Sequence, residues 1–220
     1  PGNSMDQVKW VGTIGADYGV IAVAGDSDVV TLGELLENLK TKPKKWVIGG
    51  GSAVGGWDHL KVLMAAKEYG ISNVRKIKYV SFDGGGDAVT QLLAGNVQIF
   101  TGDVSEIKGF VDAGDIKIIA VLSPDRLPGD FSKFYTAKEQ GVNVVGANWR
   151  GFYVPKGMSD DAYNFWAGAI KKMYDTPQWK KTMAKNGLAP LDLSGKAFEG
   201  FVSNSVASIK TISKQIGIIK

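Results

Sequence analysis

Ser52, Asp58 and His59 lie close together in the sequence and carry the functional groups of a hydrolytic set: a hydroxyl, an acid and a base. His59 is the only histidine, so any Ser-His-Asp chemistry must run through it. The G-x-S-x-G elbow that presents a nucleophilic serine is not formed, because Gly50-Gly51-Ser52-Ala53-Val54 lacks its last glycine. The plainer role for His59, in the first turn of an expected helix, is a local hydrogen bond that shapes the loop before it. A small hydrolase built on Ser52 and His59 stands as the alternative function. Four acids, Asp83, Asp87, Asp103 and Glu106, fall near expected strand ends, where a carboxylate pair or a metal site could form. Asp87 and Glu106 read better as helix caps. Asp103 follows a strand directly and is the acid to watch. With one His and no Cys, a His-rich or thiolate metal centre is excluded, and no metal is expected.

Two glycine-rich stretches carry a second kind of chemistry. They are Gly49-Gly-Gly-Ser-Ala-Val-Gly-Gly56 and Asp83-Gly-Gly-Gly-Asp87, each between an expected strand and an expected helix. Glycine lets backbone approach a ligand, and the N–H groups of the following helix attract anions. A dinucleotide fingerprint would need Gly at position 54, which is Val, and a P-loop would need Lys at position 56, which is Gly. No nucleotide or other cofactor is expected. Two such loops at equivalent places point to one ligand crevice at the carboxyl ends of parallel strands. Trp57 and Trp149 are candidates for its apolar wall.

The elements that must position these residues alternate. Val8–Ile14 and Tyr18–Ala24 read as two strands broken by Gly15-Ala16-Asp17. Thr31-Leu-Gly-Glu34 is a capping box opening a helix that Pro43 stops. Strand 45–48, helix 58–69, strand 76–82, a helix capped by Asp87, strand 97–100 and a helix capped by Ser105 follow. Ile116–Leu122 is the most apolar strand and the candidate sheet centre. This is an α/β pattern of βαβ units in a doubly wound, mostly parallel sheet. Beyond it come a short helix over 134–140, strands over 142–145 and 151–154, and helices over 159–174, 177–186 and 194–216. The amphipathic tail needs another surface to pack on.

Composition narrows the classes further. The 220 residues, 44% hydrophobic and 22% charged, suit one large domain or two small ones. The absence of Cys removes disulfides, thiolate nucleophiles and iron–sulfur centres. No apolar run approaches the ~20 residues of a membrane helix. The net charge of +4 fits a small anionic ligand. The basic stretches lack the interleaved aromatic residues of a single-strand binder, so nucleic acid is not an expected partner. The opening Pro1-Gly2-Asn3-Ser4 reads as a processed end or the edge of a fragment, and no signal peptide is visible.

Four segments together resemble the TctC/Bug solute-binding receptors of tripartite tricarboxylate transporters. Gly49-Gly-Gly-Ser-Ala-Val-Gly-Gly-Trp-Asp-His-Leu60 resembles the family's "GSAG-x-GS…HL" loop, and residues 80–98 resemble its "VPYKGG-x-PALTDLLGGQVD" segment. Ala113-Gly-Asp-Ile-Lys-Ile-Ile-Ala-Val121 is similar to "AGKLRALAV", and Asn148-Trp-Arg-Gly-Phe-Tyr-Val-Pro-Lys-Gly157 to "W-x-G-x-x-x-P-x-G". The order and spacing agree from about Val8 to the end. The resemblance implies a periplasmic-binding-protein-like receptor, not an enzyme, that closes two lobes on a small organic carboxylate and hands it to membrane permease subunits. A sensory ligand-binding lobe would use the same cleft. The implied location is periplasmic or extracellular and membrane-anchored, the implied state a monomer.

By position, the implied ligand contacts are Gly51, Ser52, Ala53, Gly55 and Gly56, with His59 beside them and Gly85 and Gly86 opposite. Thr101 and Asp103 stand at the next strand end, and Trp149 at a chain crossing. The resemblance also implies that residues 15–147 form the second lobe. Residues 1–14 and 148–220 would then be a mostly helical remainder of the first lobe, shaped to pack on a segment that is not in this sequence. Asp83 and Asp87 stand where the family often has Lys and Pro, which argues against a trianionic ligand.

Overall fold

The computed structural model describes residues 4–219; the opening Pro1-Gly2-Asn3 lies outside them. Strand β1 (Val8–Ala24) opens the fold. Then come α1 (Leu32–Thr41), β2 (Val47–Gly50), α2 (Trp57–Glu68), β3 (Lys78–Ser81), α3 (Gly85–Leu93), β4 (Ile99–Asp103), α4 (Val104–Ala113) and β5 (Ile116–Val121). After a long irregular connection come β6 (Ala147–Pro155), α5 (Asp160–Asp175), α6 (Pro177–Lys185) and α7 (Gly195–Gln215).

The main sheet has the order β3-β2-β4-β1-β5. β2 pairs in parallel with β3 and β4, while β4 and β5 both run antiparallel to β1, so four of the strands share one direction. Alternation puts Ile21 and Val23 of β1 into the core under α1 and α2, and Val20 and Ala22 into the core under α3 and α4. The helices therefore cover both faces, as the α/β pattern requires.

Gly15 does not break β1. It continues the strand at a φ of +141°, a conformation open to glycine, with a register shift against β6 between Thr13 and Gly15. One 17-residue strand therefore replaces the expected two. Its first part pairs with β6, from Val8 opposite Pro155 to Tyr18 opposite Ala147. Its second part enters the main sheet at Gly19, opposite Asp103.

β5 is not the sheet centre but its edge. Its apolarity has another cause: Ile119 and Ala120 face one core, and Ile116, Ile118 and Val121 the other. Residues 134–140 cover that edge, with the Val121 N–H donating to the Tyr135 carbonyl and the Ala137 N–H to the Val121 carbonyl. They form turns, not a helix. Thr136 and Glu139 cap each other through side chain and backbone, but Gly141 at φ +81° ends the run at once. Residues 142–145 likewise form no strand.

Two expected caps also moved. Gly84, at φ +107°, precedes α3, and Asp87 lies inside its first turn. Asp103 precedes α4, its N–H bonded to the Glu106 carboxylate, while the Ser105 hydroxyl turns to Asp17.

α5 and α7 pack on β1. Buried Phe198 of α7 stands edge-on to Trp10 and Trp149. The far end of the same helix carries Ile212 and Ile216 against the core under α1 and α2. Phe152, Tyr153 and Trp166 stay about half exposed around a groove of about 460 Å3 between β6 and α5.

Candidate functional site

Because β2 and β3 are parallel neighbours ending at Gly50 and Ser81, the loops that follow leave the sheet side by side. They touch: a Cβ on Gly51 would lie 2.6 Å from the Gly84 carbonyl carbon. Neither Gly56 nor Gly84, the residues preceding α2 and α3, offers a side-chain cap. Two helix N-termini thus open beside one glycine wall. It contains Gly51, Ser52, Ala53, Gly55, Gly56, Gly85 and Gly86.

Inside this wall the polar side chains are committed locally. The Ser52 hydroxyl accepts the Asp58 N–H at 2.9 Å, and the Tyr79 hydroxyl donates to the Ser52 carbonyl at 2.7 Å. His59 Nδ1 accepts the Gly55 N–H at 3.0 Å, and its ring stacks on Tyr79 at 4.5 Å. Burial lowers the His59 pKa and pushes that of Tyr79 up to about 12, so both rings are neutral near pH 7. Ser52 and His59 are not hydrogen-bonded to each other among the described residues. This is a loop brace, not a nucleophile and its base.

Gly85 makes room for the protein's own atoms: a Cβ there would strike the Glu106 carboxylate, as would one on Gly102. Burial, with Asp103 and Asp58 nearby, holds the Glu106 carboxyl above its usual pKa. Gly86 faces open space. Thr101 is fully buried beneath the wall and donates to the Asp58 carbonyl.

Asp103 leads to a network hidden from sequence reading. Lys61, fully buried, bonds Asp103 at 2.7 Å, Asp58 at 2.9 Å and the Gly102 carbonyl at 2.8 Å. Asn148 donates to the other Asp103 oxygen, and the Arg150 guanidinium lies 3.5 Å from it. Asp17, 1% exposed, takes the Ser105 hydroxyl and backbone N–H and faces Arg150 at 3.9 Å. Burial, aided by the Asp103 charge, raises the Asp17 pKa to about 6 against the pull of Ser105 and Arg150. Asp17 and Asn148 are register partners, as are Gly15 and Arg150, so the network lies where β1 and β6 cross between sheets. The available signal was Lys61 itself, three residues after Asp58 and flanked by Leu60 and Val62.

A cavity of about 640 Å3 opens between the start of α2, β6 and α7. Gly55, Gly56, Trp57, Trp149 and Phe201 are among its lining residues, and Asn148 supplies a polar point near the crossing. Its size and mainly apolar walls suit a small organic molecule. The site thus has backbone donors, an apolar cavity and a charged strand crossing. Such a set suits non-covalent binding of a small molecule.

The profile of the family described as "Tripartite tricarboxylate transporter family receptor" matches residues 1–218. A "UPF0065 protein in gbd 5' region" of Cupriavidus necator is 23% identical over 206 residues, 94% of this chain and 61% of the relative. The chain spans 61% and 65% of the length of two curated relatives it matches. Among solved structures, R. palustris Rpa4515 with adipate superposes at a TM-score of 0.85 with 20% identity, over 96% of this chain and 69% of that one. MatC (Rpa3494) from Rhodopseudomonas palustris with bound malate gives 0.71 and 16%, over 96% and 67%. These likenesses establish a periplasmic-binding-protein-like fold.

Proposed function

Since the chain belongs to the receptor family of tripartite tricarboxylate transporters, we propose that it captures a small organic carboxylate and delivers it to membrane permease subunits. The observation that carries the reading is the glycine wall, where the starts of α2 and α3 lie side by side behind glycines and Gly55, Gly56 and Trp57 of the α2 start line the cavity at the strand crossing. Backbone N–H groups there would hold the carboxylate, and the cavity would take the carbon chain. Residues 15–147 act as one lobe and residues 1–14 with 148–220 as part of the other. Closure bends the paired strands at 15–18 and 147–150. Asp83 and Asp87 flank the start of α3, and Glu106 lies against Gly85, so the ligand is a dianion at most. Adipate and malate, named with the two structural relatives, are of that kind. Among the described residues no helix is long and apolar enough to cross a membrane. The proposed receptor works outside the cytoplasmic membrane as a monomer.

A thermal-shift panel tests this, with succinate, malate, adipate, citrate and the corresponding amides. A ligand that binds the folded state raises the midpoint by mass action. One dicarboxylate should raise it selectively, and neither citrate nor any amide should match it. A panel in which amides do as well as acids overturns the reading.

A further inference from the structure

The end of β2 and β3 opposite the glycine wall has a different character. Val47 and Lys78 are register partners there, so the loop leaving α1 and the turn before β3 converge. The first brings Lys42, Lys44 and Lys45, and the second brings Lys76. With Lys78, Thr41 and Pro43 they line an open groove of about 670 Å3. All five lysines are exposed, and none is in an ion pair among the described residues. The lining holds no acid, no arginine and no aromatic ring.

Five lysines elsewhere have acids, although others, such as Lys180, Lys181 and Lys185 on α6, do not among the described residues. Lys9, Lys40, Lys61, Lys108 and Lys171 each meet a carboxylate. The groove's five charges exceed the +4 of the entire chain, so the remaining surface is close to neutral overall. The groove's charge alone is enough to match the chain's whole positive balance. Ammonium groups on flexible stems lack the planar fork that grips one phosphate, and the groove has no ring on which a base could stack. An array of point charges of this kind matches a dense layer of anionic headgroups.

We propose that this lysine groove docks the protein electrostatically on an anionic phospholipid surface, with the glycine wall turned away from the bilayer. The interaction is peripheral and involves no insertion. It does not depend on which carboxylate the cleft takes.

Co-sedimentation of the full chain with vesicles tests it. One set is phosphatidylcholine alone, and the other contains one-third phosphatidylglycerol. The chain should bind the anionic set at low salt, release it at about 0.5 M salt where the screening length is only ~4 Å, and ignore the neutral set. Each lysine near such a surface contributes about a fivefold gain in partition. K44Q/K45Q/K76Q should therefore lose about a hundredfold, and K44E/K45E/K76E, which also adds repulsion, still more. K180E/K181E/K185E, with the same charge change on α6, should lose less than about tenfold. Unchanged thermal midpoints confirm that the variants fold. Equal losses from both glutamate triples would show diffuse attraction and overturn the proposal. Equal binding to both vesicle sets, or binding to neither, also overturns it and leaves an acidic protein partner as the candidate.

Discussion

The glycine wall and the strand crossing are neighbours, yet they keep their shapes by opposite means. The wall is built from missing side chains: Gly51 touches Gly84, and Gly85 yields its space to Glu106. Its polar groups are largely backbone, and its stacked rings, buried His59 and half-buried Tyr79, are neutral near pH 7. The crossing is built from charges: Asp17, Asp58 and Asp103 share Lys61 and Arg150. Backbone donors meet a ligand without a dedicated side chain, so the wall is suited to recognition. Buried charges cost several kcal/mol each unless fully partnered, so the crossing is suited to holding one strand register while the ladder bends. A surface meant to accept a guest and a joint meant to keep its register have different physical needs.

The largest test breaks the joint. Lys61→Met leaves Asp58 and Asp103 facing each other without their shared cation, and urea unfolding should show a loss of about 3–5 kcal/mol. A loss below about 1 kcal/mol would mean the network contributes little.

Next comes the pH response of the crossing. The Asp17 carboxyl, at about 6, holds its proton more tightly in the folded chain than in the unfolded one. Its contribution to stability is greatest below about pH 4 and is lost as pH rises through about 6, a change on the order of 3 kcal/mol. Asp17→Asn should flatten that slope, so the variant should gain on the parent as pH rises from 4 to 7. Chemical denaturation at stepped pH measures the difference. Parallel curves would place the titration elsewhere.

On the wall, Gly51→Ala drives a methyl into backbone and should cost about 1–3 kcal/mol. The more telling readout is the carboxylate-induced thermal shift, which should vanish even where the variant remains folded. His59→Ala should have the smallest effect, about 1–2 kcal/mol for the lost acceptor of the Gly55 N–H. Its carboxylate-induced thermal shift should stay close to that of the parent. Loss of that shift would make His59 part of the recognition surface after all.

Much of the architecture was legible because local signals agreed with the fold. Thr31 caps α1 through the Glu34 N–H, and Pro177 opens α6 behind Thr176. The glycine wall was legible as a place, since both loops follow parallel strands. The role of each glycine was not: no local signal reports that Gly85 must leave its Cβ space to the Glu106 carboxylate on α4. The crossing was illegible for the same reason. Lys61 meets Asp103 across 42 positions, and Asp17 meets Ser105 across 88, distances over which no periodicity reports. Gly15 misled because a register irregularity inside a strand and a turn between strands use the same residue. Residues 134–140 misled because a satisfied cap does not make a helix when glycine follows within five residues of Thr136.

The sharing of β1 also bears on how the chain is made. The first half of this strand is made well before its partner β6, which begins at Ala147, more than a hundred residues later. Among the described residues, the ladder that Val8–Tyr18 joins waits for β6. Such distant pairing slows folding, because a long loop must close before the contact is gained. It also leaves a strand edge exposed on the nascent chain. In a refolding experiment, amide protection should arise first in β2, β3 and β4 and last along the β1–β6 ladder, so the joint between the sheets is the last part of the molecule to set.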